Sequence, residues 1–193
     1  MKTTQKDISL KNVARRLDEA GVPWAVFAGA AAKVYGAKRP LTDIDILISA
    51  ADGGRAADLF PEGHICYRED GSVEAIKLSE YDLIAGLSNG YVLDVDTDML
   101  LRLQRAEING VLVPIIPPED NILIKASWGR GPEVGKHDWD DVAAMLSYNR
   151  KIDWEYLCGR ASIGLAPDRA DEILVRLERM WRGIFYEMIS IRK

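Results

Sequence analysis

Residues 23–49 read PWAVFAGAAAKVYGAKRPLTDIDILIS. The apolar run Trp24-Ala25-Val26-Phe27 stops at Gly29. Small residues and a basic segment follow, and then two carboxylates, Asp43 and Asp45, separated by Ile44. In an extended strand alternate side chains share a face, so the two aspartates stand together while Ile44, Ile46 and Ile48 point into a core. Carboxylates held close repel one another unless a cation lies between them, and a divalent metal is the economical choice. Taken alone, an Asp-x-Asp pair is more often a solvated strand face. Here it follows a strand, a glycine, a helix and a basic loop, and a helix opening just after Gly29 offers backbone N–H groups that suit a phosphate.

Working outward, Leu10, Val13, Ala14, Leu17 and Ala20 recur at helical spacing between an N-cap at Ser9 and a stop at Gly21. The spacing predicts a strand over 24–28, a helix over 30–35, a strand over 43–48 and a short helix over 50–60 whose start is blurred by Gly53-Gly54. Strands are expected over 65–67 and 73–78 around the Asp70-Gly71 turn, and over 79–87, where a strand is preferred to a helix. A hairpin signal at Ser88-Asn89-Gly90 leads into a further strand over 91–96, and a second hairpin turns at Asn109-Gly110 into a strand over 111–116. Helices are expected over 119–128 and 138–148, from an Asp153 cap over 154–158, and after Pro167. This last is the longest, with Ile173, Leu174, Leu177, Met180, Trp181, Ile184, Phe185 and Met188 as an apolar stripe that needs a partner. The fold class is therefore α+β. A mixed, antiparallel-rich sheet flanked by helices occupies residues 1–148, and 149–193 form a C-terminal helical segment that packs on it or on a partner.

With 48% hydrophobic and 28% charged residues over 193 positions, the chain is a globular protein with a real core. Its net charge of −5 supplies no basic field for a long nucleic acid, and a compact partner fits better. Cys66 and Cys158 lie outside any CxxC pattern and are expected to be reduced core thiols. His64 and His137 lack metal-site spacing. The five tryptophans read as core, with Trp128 beside a glycine-rich loop the one that could stack on a base. No signal-peptide core or membrane span is legible, so a cytoplasmic location is expected.

If the strand over 91–96 neighbours the one over 43–48, Asp94 joins Asp43 and Asp45 on one side of the sheet. Three convergent carboxylates suit one or two Mg²⁺ ions shared with substrate phosphates. Asp96, on the same strand face, is the alternative third ligand.

These residues resemble the nucleotidyltransferase superfamily with a polymerase-beta-like palm, whose signature is an apolar residue, Gly-Gly or Gly-Ser, a spacer, and Asp-x-Asp or Asp-x-Glu. The later PPEDNILIKASWGRG and KHDWDDVAAML are similar to the helical segment that follows the palm in small nucleotidyltransferase-like proteins. The resemblance runs from about Val22 to Leu146. It implies that Gly29 and Ala30 form the phosphate-binding turn and that Asp43, Asp45 and Asp94 are catalytic metal ligands. Ala30 stands where the family has Gly or Ser and brings no hydroxyl. Lys33, Arg39 and Lys125 are candidate phosphate-binding cations, with Lys38, Arg130 and Lys136 behind them.

The activity so implied is transfer of a nucleoside monophosphate from an NTP, such as ATP, to a hydroxyl acceptor. Two Mg²⁺ ions would serve it, with Mn²⁺ able to substitute. The alternative is a catalytically idle module of the same fold, an antitoxin-like or regulatory partner, with a partner protein or a second copy docking on the C-terminal helix. A third reading is a metal-dependent phosphodiesterase that uses the same carboxylates on water.

Overall fold

The computed structural model describes residues 8–88, 90–149 and 151–190, with side chains through residue 184. Contacts divide the chain into two compact units. One comprises Met1–Ala30, Pro40–Leu87 and Leu93–Pro117, and the other Ala31–Arg39, Ser88–Val92 and Pro118–Lys193.

The first unit opens with α1 (Leu10–Ala20). Ser9 caps it by accepting from the Asn12 N–H, Gly21 ends it at φ +64°, and Leu10, Val13, Ala14 and Leu17 are buried. In chain order β1 (Trp24–Val26), α2 (Ala28–Val34), β2 (Ile44–Ile48) and α3 (Gly53–Leu59) follow. Then come β3 (His64–Tyr67), β4 (Val73–Lys77), β5 (Tyr81–Ala85), α4 (Thr97–Arg102), β6 (Gln104–Ile108) and β7 (Val111–Ile115). A 3₁₀ turn over Ala50–Asp52 leads into α3. The seven strands form one mixed sheet ordered β3-β4-β5-β2-β1-β7-β6, and only the β2–β5 and β1–β7 pairs are parallel. The expected α+β class, with an antiparallel-rich sheet flanked by helices, is what the chain adopts.

Burial sets the register. Ile46, Leu47 and Ile48 are wholly buried, each contributing about 1.5–3 kcal/mol of apolar burial. A one-residue slip of β2 would turn Asp45 to the opposite face and lose those contacts, so the pairing is strongly specified. α3 lies close on β4 and β5 because residue 53 is glycine: a Cβ there would stand 3.1 Å from the Val73 Cβ and 3.2 Å from the Ala85 Cβ.

The stretch over 91–96 departs from expectation. Beyond one antiparallel bridge, Leu87 with Leu93, no strand forms there. Leu93 and Val95 are buried and Asp94 and Asp96 alternate with them, which imitates a strand. The aspartates instead bond locally to backbone. Asp94 Oδ1 accepts from Ala50 N at 2.9 Å and Val95 N at 2.7 Å, while Asp96 caps the unanticipated α4 by accepting from Met99 N at 2.9 Å. Such side-chain bonds compete directly with a ladder. The hairpin expected at 88–90 includes Asn89, which lies outside the described residues.

The second unit is helical. In α5 (Pro118–Trp128) every residue from Pro118 to Ala126 is buried, and it packs against α6 (Asp138–Tyr148) and α7 (Trp154–Gly164). α8 (Pro167–Ser190) lies on α6 and α7. The helices of 118–148 thus group with those after 149. Ile173 and Leu177 of the expected stripe are buried within the chain, whereas Phe185 and Met188 fall beyond the described side chains. Asp153 caps α7 as expected, accepting from Tyr156 N at 3.1 Å. At the other end of α7, Val92 N donates to Gly164 O at 2.8 Å, and a Cβ on Gly164 would stand 2.3 Å from the Tyr91 ring. Both cysteines are free, but Cys158 is exposed on α7 rather than buried in a core.

Candidate functional site

Asp43 is exposed just ahead of β2 and accepts from Thr42 Oγ1 at 3.0 Å. Asp45, half-buried, is the second residue of β2 and points from the face opposite Ile44 and Ile46. On the parallel neighbour β5, Asp45 is in direct register with Asp82. Side chains of paired residues share a sheet face, so a carboxylate on β5 stands beside the Asp-x-Asp. Asp82 also faces Lys77 on β4, whose Nζ is 3.8 Å from Asp82 Oδ2 and whose side chain is 54% exposed. That is a loose ion pair, beyond hydrogen-bond distance.

On the other side of Asp45, Phe27 N donates to Asp45 O at 3.0 Å. The turn that follows Phe27 is thereby pinned within a residue or two of the carboxylates. Its strained position is Ala28, at φ +53°, a left-handed conformation that ordinarily calls for glycine. Gly29 is outside that region, and a Cβ there would meet only Leu41 Cδ2 at an ordinary 3.6 Å. The Ala30 methyl is buried, so residue 30 serves the core.

The structure does not bring Asp94 together with Asp43 and Asp45. Its carboxylate is bonded at Ala50, past the far end of β2, and the three residues from Asp45 to Ile48 alone span about 10 Å of strand. Asp96 is committed to the α4 cap. Asp82 was missed although it carries the same signal, an acid between Tyr81 and Leu83. Residues 91–96 alternate more cleanly, and parallel register between distant segments is not written in either segment alone.

Lys33 is exposed in the last turn of α2. Arg39 and Lys125 are engaged within the helical unit. Lys125, 3% exposed, sits 3.0 Å from Asp138 Oδ1 and 3.0 Å from Asp141 Oδ2. Arg39 grips Asp141 through two bonds, Nε to Oδ1 at 3.0 Å and an NH2 to Oδ2 at 2.6 Å, and Arg130 Nε holds Asp138 Oδ2 at 2.8 Å. Burial acts to raise both aspartates, but hydrogen bonds from Arg130 and Lys125 to Asp138, and from Arg39 and Lys125 to Asp141, outweigh it and hold both carboxyls below their usual range. The Asp141 hydrogen bond likewise raises Arg39. Burial pushes Glu119 up, opposed by the bond that Asp153 N donates to it.

Hard oxygen donors side by side on two strands suit Mg²⁺, which is bound through one or two carboxylates and completes its shell with water and substrate phosphates. Among the described residues no group of three or more His, Cys, Asp or Glu side chains could hold a metal ion, so a pair of carboxylates is the most this site offers. No helix among them is long and apolar enough to cross a membrane.

Residues 1–164 match the model of a family described as uncharacterised nucleotidyltransferase. No curated protein matches in sequence. Among solved structures, the chain is similar to ANT(2'')-Ia in complex with adenylyl-2''-tobramycin, at 12% identity and a TM-score of 0.50, covering 89% of this chain and 96% of that one. It is also similar to the lincosamide antibiotic adenylyltransferase LnuA, lincomycin-bound, at 16% identity and a TM-score of 0.48, covering 75% of this chain and 100% of that one. At such identities the likeness concerns the fold.

Proposed function

The chain belongs to the family of uncharacterised nucleotidyltransferases, and on that premise we propose that it moves a nucleoside monophosphate from an NTP to a hydroxyl of a small acceptor in a Mg²⁺-dependent reaction. The observation that carries this reading is the register of Asp45 with Asp82, which sets an acid beside the Asp-x-Asp and next to the turn after Phe27. Asp45 and Asp82 would hold the metal, with water and substrate phosphates completing its shell and Asp43 beside them, and the loose Lys77 contact leaves Asp82 open to exchange its partner. Bound there, Mg²⁺ would neutralise phosphate charge and acidify the acceptor hydroxyl.

The acceptor oxygen bonds to the α-phosphorus, the bond from that phosphorus to the bridging oxygen breaks, and pyrophosphate leaves. Asp82 takes up the hydroxyl proton. Asp43 and Asp45 fix the nucleotide end, and the backbone after Ala28 borders it. Arg39 and Lys125 serve the helical unit, their charges matched by Asp138 and Asp141. The net charge of −5 speaks against a polyanionic acceptor. A compact hydroxylated molecule, of the kind that carries the adenylyl group in the ANT(2'')-Ia complex, fits better.

The strained alanine at residue 28 favours a second reading, a module that binds nucleotide without turnover, because a methyl occupies a turn that glycine would fill without strain. Thermal shift against a panel of nucleotides with Mg²⁺ tests both, since a ligand that binds the native state raises the melting temperature. Stabilisation by an NTP that is lost in Asp45→Asn supports the site, and no stabilisation by any nucleotide refutes it. Pyrophosphate release then separates the enzyme from the idle module, and label retained on an acceptor separates transfer from hydrolysis.

A further inference from the structure

The two edges of the sheet differ. At one, the pairing of β3 with β4 is broken by an irregularity at Cys66 and Tyr67, and a bulge of that kind keeps an edge from adding a further strand. At the other, β6 pairs with β7 in unbroken register over all five residues and carries no proline, lysine or bulge. Asn109 and Gly110, at φ +50° and +77°, make the two-residue turn between them. The pair flanking such a turn, Ile108 and Val111, exchanges backbone bonds, and so by alternation do Ala106 with Val113 and Gln104 with Ile115. Arg105 and Glu107 therefore turn their N–H and C=O groups away from β7. Pro114, which has no N–H, stands opposite Arg105, at a pair whose N–H groups this ladder does not use. Both side chains are exposed, and among the described residues neither has a hydrogen bond or ion pair.

A second β6 laid antiparallel along this edge, with Ala106 on the dyad, sets Arg105 opposite Glu107 of the copy and Glu107 opposite its Arg105. These are the two positions whose backbone groups face outward, so each pair exchanges two backbone bonds and joins opposite charges on one face. A two-fold interface demands that kind of self-complementarity. Ala106 meets its own copy at the closest approach of the ladder, where a methyl fits. Gln104 meets Ile108, and β7 alongside brings no charge. Like charges, Arg105 with its copy and Glu107 with its copy, are only diagonal neighbours, about 7–8 Å apart against about 5 Å for the opposite charges. Sliding one strand by two residues would set Arg105 on its own copy or Glu107 on its own, and sliding by one would turn the side chains to opposite faces. The charges therefore admit a single register.

We propose that the outer edge of β6 is the docking surface for a second copy of this chain, the two strands pairing antiparallel about Ala106 so that one sheet runs through both. The proposal stands independently of the nucleotidyl-transfer reading. Sedimentation equilibrium of the full chain, from micromolar to millimolar concentration, tests it together with hydrogen exchange. The wild type is expected to rise toward twice the 21.5 kDa chain mass. Over the same range the Arg105 and Glu107 amides should slow their exchange by about tenfold or more. Arg105→Glu and Glu107→Arg each set like charges together at both contacts and should weaken association by about tenfold or more. The double reversal, or an equimolar mixture of the two single variants, returns opposite charges to both contacts and should restore it. Arg105→Pro removes an N–H that the β6–β7 ladder does not use, so it should abolish the dimer and leave the hairpin. Circular dichroism checks that the variants keep their fold. A wild type that stays monomeric throughout overturns the proposal. So do a dimer in which both amides stay unprotected, single reversals without effect, and a folded double variant that fails to recover.

Discussion

Asp82 faces Asp45 across a parallel strand pair and faces Lys77 across an antiparallel one. An acid so placed is within reach of a positive partner on one side and another negative charge on the other, and a divalent ion resolves that conflict better than a lysine that is mostly in solvent. Asp45→Asn is expected to abolish nucleotidyl transfer while the melting temperature holds, because the residue is only half-buried and the change is isosteric. The neighbouring turn yields a paired prediction. Ala28→Gly removes the left-handed strain at φ +53° and should stabilise the fold by roughly 1 kcal/mol in urea titration. Gly29→Ala should leave stability unchanged or slightly raised, since its Cβ finds an ordinary contact, yet it should lower nucleotide affinity if a phosphate rests there. Loss of stability in Gly29→Ala would show that the glycine serves the fold alone.

Among the elements, Lys125 in α5 is placed to knit α6, through Asp138 and Asp141, to the central helix. Lys125→Met should destabilise by about 3 kcal/mol, because two buried carboxylates lose a partner and keep only Arg130 and Arg39. Chemical denaturation measures it. Much of the architecture was readable from local signals. The Ser9 and Asp153 caps, the Asn109-Gly110 hairpin and the alternation in β2 each act within a few residues, and local chemistry settles them. What was not readable depends on distant partners. Asp94 and Asp82 have nearly the same local setting, and only the fold puts Asp82 on a strand beside Asp45 while Asp94 lies on none. The strand expected over 91–96 failed because aspartate side chains capped backbone groups at Ala50 and Met99, a competition that alternation alone does not register. Lys125 reads from the sequence as a candidate phosphate-binding cation, and its partners in α6 emerge only with the fold.

At the scale of the whole molecule, the helical unit has a definite acid sensitivity. Asp138 and Asp141 have folded pKa values depressed below 3.8, so the stability they contribute is present above that value and is lost as pH falls through their depressed values. Glu119 acts the other way: its value is raised above 4.5, so its contribution is present below 4.5 and fades as pH rises through the raised value. Two groups against one make acid the destabilising direction. The melting temperature followed by circular dichroism should therefore drop as pH falls below about 4, and Asp141→Asn should flatten that drop at the expense of stability near neutral pH.

Whether the chain gathers metal and nucleotide at Asp45 and Asp82, beside Asp43, is most directly tested by counting bound Mn²⁺, in place of Mg²⁺, in the presence of a non-hydrolysable NTP. The loss of the free-ion electron paramagnetic resonance signal gives that count. Asp45→Asn should abolish the binding, Asp82→Asn should weaken it by about tenfold or more, and Asp94→Asn, whose remaining amide oxygen still accepts from Ala50 N, should bind as the wild type does. Wild-type Mn²⁺ binding in Asp82→Asn together with its loss in Asp94→Asn would contradict the account.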